Sequence, residues 1–331
     1  MTMHVLVAGA GGFIGGHLVR ELLDTGHTVR AADIKVIDDW WQVHPEATNT
    51  SCRDLRNDND AEQIVAGMDR VYNLAADMGG MGFIETHRAD CMVSVLINTN
   101  LIRAAAKYGV ERYFYASSAC VYHHDVQTNS EVVALREEDA YHNGGAMPEN
   151  GYGWEKLFSE RMCQHFMEEK GLECRVARFH NVYGPQGSWE GGREKAPASM
   201  CRKVAEAVRD GTTTIDVWGN GTNTRSFMYI DDCVEGICRL MNSNVREPIN
   251  LGSNELVSID QLRLAVERIG GVKLTPVYDL SIPQGVAGRN SDNTKIKELL
   301  HWEPTTPLVI GLSPTYAWIQ DQVTSSVDGE V

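Results

Sequence analysis

Apolar positions follow two rhythms in the first half of the chain. His4-Val5-Leu6-Val7-Ala8 is a short apolar run, and similar runs occur at 28–32, 70–74, 112–116 and 173–178. Runs of this length read as strands buried on both faces. Between them, at 16–24, 92–108 and 155–170, apolar residues recur three and four apart, the spacing of one helix face. Strand and helix therefore alternate, which predicts an α/β fold with a doubly wound parallel sheet.

After Asn181 the rhythm loosens, with Gly184-Pro185, Gly187, Gly191-Gly192 and Pro197 as punctuation. Helical patterns return at 198–210, 232–242 and Ile259–Ile269. The expected layout is a sheet domain over 1–180, a smaller C-terminal substrate-binding region over 181–322 with some segments rejoining the sheet, and a frayed tail at 323–331. The polar, glycine-bearing segment 123–151 reads either as an active-site flap or as a surface excursion.

Composition narrows the choice. With 331 residues, 43% of them apolar, the chain can bury a large core without staples. Its formal charge of -15 opposes nucleic acid and anionic membrane as partners. There is no apolar run of about 18 residues, and Met1-Thr2-Met3 leads directly into the first strand, so the expected location is the cytoplasm. The eight cysteines show neither a C-x-x-C pair nor a metal-ligand rhythm, so no metal is expected.

The first strand runs into Gly9-Ala10-Gly11-Gly12-Phe13-Ile14-Gly15, and a helix follows. Gly9 suits a tight turn, Gly12 a close approach of backbone to a pyrophosphate, and Gly15 close packing of helix on strand. The helix N-terminus then turns its positive end toward the phosphates. Asp33 closes the second strand 18 residues after Gly15, where a carboxylate can accept from ribose hydroxyls and disfavours a 2'-phosphate. The expected cofactor is NAD rather than NADP, with Lys35 nearby as a mild counter-signal.

Tyr152-Gly153-Trp154-Glu155-Lys156 puts a phenol and an ammonium at i and i+4 on one helix face. A lysine held there is expected to lower the phenol pKa, making Tyr152 a base for a hydroxyl proton. Upstream, Ser117-Ser118-Ala119-Cys120 ends a core strand at the level where α/β enzymes gather their chemistry, and Ser118 can hydrogen-bond the reacting hydroxyl or the tyrosine.

Ser118, Tyr152 and Lys156 resemble the Ser-Tyr-Lys triad of the extended short-chain dehydrogenases, a Rossmann-type family. Arg178-Phe179-His180-Asn181-Val182-Tyr183-Gly184-Pro185 resembles that family's junction into the substrate region. Within the family, Ala75-Ala76-Asp77-Met78-Gly79-Gly80-Met81-Gly82-Phe83, Ser117-Ser118-Ala119-Cys120 and Gly192-Arg193-Glu194-Lys195-Ala196-Pro197 are similar to the branch that inverts carbons 3 and 5 of GDP-mannose.

The resemblance implies an isomerase that oxidises carbon 4, exchanges protons at the flanking carbons and reduces carbon 4 again, giving GDP-L-galactose, GDP-L-gulose or both. It implies Cys120 and Lys195 as the base and acid pair, and a homodimer. Phe13, Ile14, Asp54, Leu55 and Ala75 would join Gly9, Gly12, Gly15, Asp33, Tyr152 and Lys156 at the cofactor. Gly79, Ser118, Ala119, Cys120, Asn181, Glu194, Lys195, Ala196, Lys203, Asn223, Thr224, Arg225, Ser226 and Arg289 would face the GDP-sugar. Of the cations, Arg193, Lys203, Arg225 and Arg289 are candidates for the pyrophosphate.

Two alternatives stay open on the residues themselves. One is another sugar-nucleotide epimerase, dehydratase or decarboxylase of the same fold, although Ala119-Cys120-Val121 lacks the carboxylate that dehydration needs. The other is an NAD-binding protein without catalysis, against which the intact Ser118, Tyr152 and Lys156 speak.

Overall fold

The computed structural model describes residues 2–127, 134–281 and 288–328. β1 (His4–Ala8) passes through the glycine turn into α1 (Phe13–Asp24), and Gly26, at φ 85°, carries the chain out of the helix. β2 (Thr28–Ala32) and β3 (Thr48–Thr50) follow, then α2 (Asp58–Val65), capped by the Asn57 side chain accepting from the Asn59 amide. β4 (Arg70–Asn73) is buried throughout, as a central strand is.

The helical rhythm read over 92–108 is interrupted in the structure. α3 (Met81–Thr86), α4 (Arg88–Val93) and α5 (Val95–Tyr108) are separate, and the Ser94 hydroxyl at the last break accepts from the Asp77 amide at 3.0 Å. β5 (Arg112–Ser118) continues two residues past its apolar run, carrying Ser118 to the strand end. After α6 (His124–Gln127) comes the long α7 (Gly151–Lys170), started by Asn150 and ended at Gly171 with φ 69°, and then β6 (Glu173–Phe179).

In the later half the elements are shorter. They are β7 (Val182–Tyr183), α8 (Ala196–Asp210), β8 (Thr214–Trp218), β9 (Thr224–Ser226), β10 (Met228–Tyr229) and α9 (Ile230–Asn242). Next come β11 (Ile249–Leu251), β12 (Leu256–Ser258), α10 (Ile259–Ile269), β13 (Thr275–Asp279) and β14 (Gly288–Arg289). α11 (Thr294–Leu300) and α12 (Leu308–Asp328) complete the described chain.

Seven parallel strands in the order β11-β6-β5-β4-β1-β2-β3 form the main sheet. Leu18, Val19 and Leu22 of α1, with Ile237 and Leu240 of α9, cover one face. Ile64 of α2, Leu101 and Ile102 of α5 and Cys163 of α7 cover the other. The chain leaves β1 first toward β2 and later returns on its other side as β4. That reversal opens a crevice at the carboxyl ends of β1 and β4, where open α/β sheets bind ligands.

A second core lies beyond the sheet, where Val204 of α8, Leu262 and Val266 of α10, and Leu312 and Ile319 of α12 pack together. α12 stays helical through Asp328, beyond Gln322, where the sequence reading begins a frayed tail. Val323 is buried in this core and its carbonyl accepts from Arg209 at 3.4 Å, which holds the last turns; residues 329–331 lie outside the described part. In the segment 123–151, the described stretch around Leu135 and Glu137 is packed down, while 141–145 are exposed. Leu135 is buried, its amide donates to Asn290, its carbonyl accepts from Asp292, and the Glu137 carbonyl accepts from Arg178. Residues 128–133 of that segment lie outside the described part.

Candidate active site

The cofactor end of the crevice is built from main chain. Gly9 has φ 86°, in the region only glycine enters freely, and a Cβ there would lie 2.9 Å from the Ala75 backbone nitrogen. A Cβ at Gly15 would overlap the Gly9 carbonyl oxygen, so α1 can approach β1 only because that position is bare. Gly12 is the N-cap of α1 and offers no side chain to the first turn, so the N–H groups around Phe13 and Ile14 are left for an anion.

Asp33, buried at the end of β2, accepts from the Gly11 and Lys35 amides, each at 3.0 Å. Lys35 turns its ammonium onto the Gly11 carbonyl at 3.2 Å, which removes it as a free partner for a 2'-phosphate. Leu55 is buried nearby under the Asn100 amide, while Asp54 is clamped by Arg56 at 2.7 Å. Ala75 donates its amide to Asn73 at the tip of β4. An uncapped helix start, a bare glycine turn and a fixed carboxylate fit a dinucleotide.

At the other end of the crevice, α7 lies against the turn Ala119–Val121 that follows β5. A Cβ at Gly153 would overlap the Cys120 carbonyl oxygen, so the glycine between Tyr152 and Lys156 is what lets the helix come so close. Asn150 fixes the helix start by accepting from Gly153 at 3.0 Å. Tyr152 and Cys120 are consequently buried in one small cluster with Ile84 and Cys91. Ser118 accepts from the Cys120 amide at 3.2 Å and lies close enough to the Tyr152 phenol to act on its pKa, joining the three candidates.

Lys156 lies over Tyr152, as the i, i+4 spacing predicts, but it shares its charge with Glu155. Its ammonium lies 5.4 Å above the Tyr152 ring but 3.5 Å from the Glu155 carboxylate, and all three side chains are buried. Burial pushes the Tyr152 phenol well above its ordinary pKa, Cys120 and Glu155 add to the rise, and the Ser118 hydrogen bond opposes it. The expectation of a phenol lowered by its lysine is therefore corrected for the protein without ligands: Glu155 is the nearer partner of that positive charge.

Two loops close over this cluster. The Gly80 amide donates to the Arg193 carbonyl at 3.0 Å, and a Cβ on Gly80 would meet the Glu194 carbonyl at 2.7 Å. Gly79 is held beside them against Phe83. Arg193 stacks 3.8 Å above the Phe83 ring and pairs with Asp77 at 3.0 Å, so this candidate for pyrophosphate is engaged in joining the loops. Glu194 accepts from the Gly192 amide and pairs with Arg202 at 3.3 Å. Lys195 caps α8 ahead of Ala196 and has no ion-pair partner among the described residues. Burial lowers its pKa, with Cys120 pulling upward and Arg289 downward, which places all three groups within electrostatic reach.

The remaining candidates line the far end. Asn181 donates to the Ser226 carbonyl at 3.2 Å, and Lys203 reaches the Asp216 carbonyl at 2.8 Å while lying 5.7 Å from the exposed Trp218 ring. β9 and β14 run side by side with Arg225 opposite Arg289. Burial lowers Arg225 to about 10, and the charge of Arg289 adds to the effect. Thr224 Oγ1, Ser226 Oγ and Arg289 Nε are buried with no hydrogen-bond partner among the described residues. Asn223, just before them, accepts the Ile259 amide on its carbonyl.

Sequence reasoning missed two carboxylates. Glu155 accepts from Tyr115 and Ser159, each at 3.0 Å, and a buried acid inside the Tyr152–Lys156 interval was the signal available for it. Glu149 pairs with Arg289 at 2.9 Å, a contact across 140 residues that no local pattern marks.

The site can be set beside known proteins. The chain is 44% identical to GDP-mannose 3,5-epimerase 1 of Oryza sativa subsp. japonica over 328 residues, covering 97% of this chain and 82% of that one. It is also 44% identical to GDP-mannose 3,5-epimerase of Arabidopsis thaliana over 329 residues, covering 97% and 83%. Among solved structures, UDP-glucose 4-epimerase of Thermotoga maritima with UDP-glucose superposes with a TM-score of 0.85 at 25% identity, covering 97% of this chain and all of that one. The pattern of the NAD dependent epimerase/dehydratase family matches residues 5–252, which hold the glycine turn, Asp33, Tyr152 and Lys156. The chain belongs to the NAD dependent epimerase/dehydratase family, and NAD is its cofactor.

Proposed function

We propose that this enzyme epimerises GDP-mannose at carbons 3 and 5, yielding GDP-L-galactose, and GDP-L-gulose where carbon 5 alone inverts. The observation that carries the reading is the meeting of Cys120, Tyr152 and Lys195 in one shielded place, since simple inversion at carbon 4 has no use for the thiol and the second ammonium. The identity to two GDP-mannose 3,5-epimerases over nearly the whole chain supports the substrate.

NAD, when bound, supplies a reversible hydride acceptor. Tyr152 takes the proton of the carbon-4 hydroxyl, with Ser118 hydrogen-bonded to the phenol oxygen as its charge grows. Lys156, held at the level of the tyrosine by Glu155, offers its donors to the nicotinamide ribose and its charge to the phenolate. The ketone at carbon 4 acidifies the hydrogens of carbons 3 and 5. Cys120 removes such a proton from one face and Lys195, whose pKa is lowered by burial, returns one from the other. Tyr152 then gives its proton back to the carbon-4 oxygen.

Arg225 and Arg289 hold the diphosphate. A homodimer belongs to the same reading. Met92 and Val93 of α4, Leu96 of α5 and Trp154 and Phe158 of α7 are exposed on packed neighbouring helices, and a second copy would cover them. Eight unpaired cysteines suit a reducing compartment, in keeping with the cytoplasm.

Incubation with GDP-mannose in deuterated water tests the proposal. Deuterium at carbons 3 and 5 of the recovered sugar is the expected result. A sugar recovered without deuterium, or with inversion at carbon 4 alone, overturns it.

A further inference from the structure

We propose that Glu149 is a built-in competitor for the diphosphate clamp: its carboxylate occupies Arg289 until a nucleoside diphosphate displaces it, so that Glu149 sets how tightly and how selectively the site accepts that anion. The inference rests on the reading of Arg225 and Arg289 as the diphosphate site.

Two guanidinium groups on adjacent strands, opposite each other and shielded from water, repel. In the chain without substrate Glu149 answers that repulsion. Its carboxylate is 2.9 Å from Arg289 Nη2, with 16% of its own side chain and 10% of the arginine's exposed. It also acts on Arg225, raising a pKa that burial and Arg289 lower.

As a partner for this site Glu149 is incomplete. One carboxylate contact leaves Arg289 Nε buried and unpaired among the described residues. An unpaired buried donor retains its full desolvation cost. A diphosphate brings two charges and several acceptor oxygens, so it can answer both arginines together. A monoanion with a single carboxylate-like end offers no more than Glu149 already does. The glutamate therefore discriminates by being the ligand that a weaker anion has to beat.

The departure of Glu149 does not disturb the neighbouring catalytic helix. Asn150, the next residue, is held independently: its side chain accepts from Gly153 and donates to Glu85 at 3.2 Å. The carboxylate can leave Arg289 while the start of α7 and Tyr152 remain where they are.

Calorimetric titration of GDP into the full, NAD-loaded chain tests this in a double-mutant cycle of wild type, Glu149→Gln, Arg289→Ala and the double variant. Glu149→Gln is expected to bind GDP about tenfold more tightly, the scale of one charge-assisted contact no longer competed for. Its affinity is expected to fall more steeply with salt, because the site carries one more net positive charge. In the Arg289→Ala background, Glu149→Gln is expected to gain nothing, since the competition runs through that arginine. Unchanged or weaker GDP binding by Glu149→Gln, with Arg289→Ala weakened, overturns the competitor role and leaves the clamp standing. Undiminished GDP binding by Arg289→Ala overturns the clamp itself.

Discussion

At the cofactor end of the crevice the contacts come from main chain: a glycine turn, the uncapped start of α1 and a carboxylate pinned by two amides. At the end proposed for the sugar the candidate contacts are side chains carried on a 3-10 turn, two facing loops and strands of two or three residues. Backbone sites tolerate change in everything but their glycines and bind one kind of ligand. Side-chain sites can be rebuilt residue by residue, which suits them to deciding which sugar enters and what happens to it.

Substitutions should divide along this line. Tyr152→Phe, which removes the base proposed for carbon 4, is expected to lower kcat about a thousandfold while NAD still binds, measured by turnover and by NAD titration. Cys120→Ala is expected to slow deuterium exchange at carbons 3 and 5 about a hundredfold, yet to leave reduction of bound NAD by GDP-mannose intact, seen as absorbance near ~340 nm. Loss of that absorbance change as well would show that the two chemistries are not separable. At the other end, Asp33→Asn keeps the shape but removes the charge, and is expected to weaken NAD binding about tenfold and narrow its preference over NADP.

The smallest effect tests the coupling between the two ends. Glu155 raises the Tyr152 pKa, so Glu155→Gln lowers it. A base with a lower pKa is ionised at lower pH, and the acid limb of the kcat/KM profile is therefore expected to move to lower pH. An unmoved limb would mean that Glu155 only packs against Tyr115 and Ser159.

Legibility in the sequence follows the same division. β1, the glycine turn, α1 and Asp33 lie within one local unit whose rhythm and spacing can be read without distant contacts. Tyr152 and Lys156 are legible for the same reason, being one helical turn apart. What failed depended on partners far along the chain. The charge of Lys156 was assigned to Tyr152 because the spacing shows that neighbour, whereas Glu155 is fixed beside the lysine by Tyr115, 40 residues away. Arg193 looked free until the loop after β4 brought Asp77 to it. The apolar rhythm over 92–108 ran across a helix break at Ser94, whose hydroxyl accepts from the distant Asp77 amide.

The strand β11, three residues from the later half, pairs with β6 and completes the edge of the sheet, with Ile249 opposite Ala177 and Leu251 opposite Phe179. α9, which precedes it, supplies part of the core on one sheet face. During synthesis the nascent chain would thus expose the bare edge of β6 and the apolar surface of α1 until some seventy more residues had emerged, as the offset between β6 and β11 shows. A fragment cut after β6 is expected to expose that edge and that apolar surface and to be sticky.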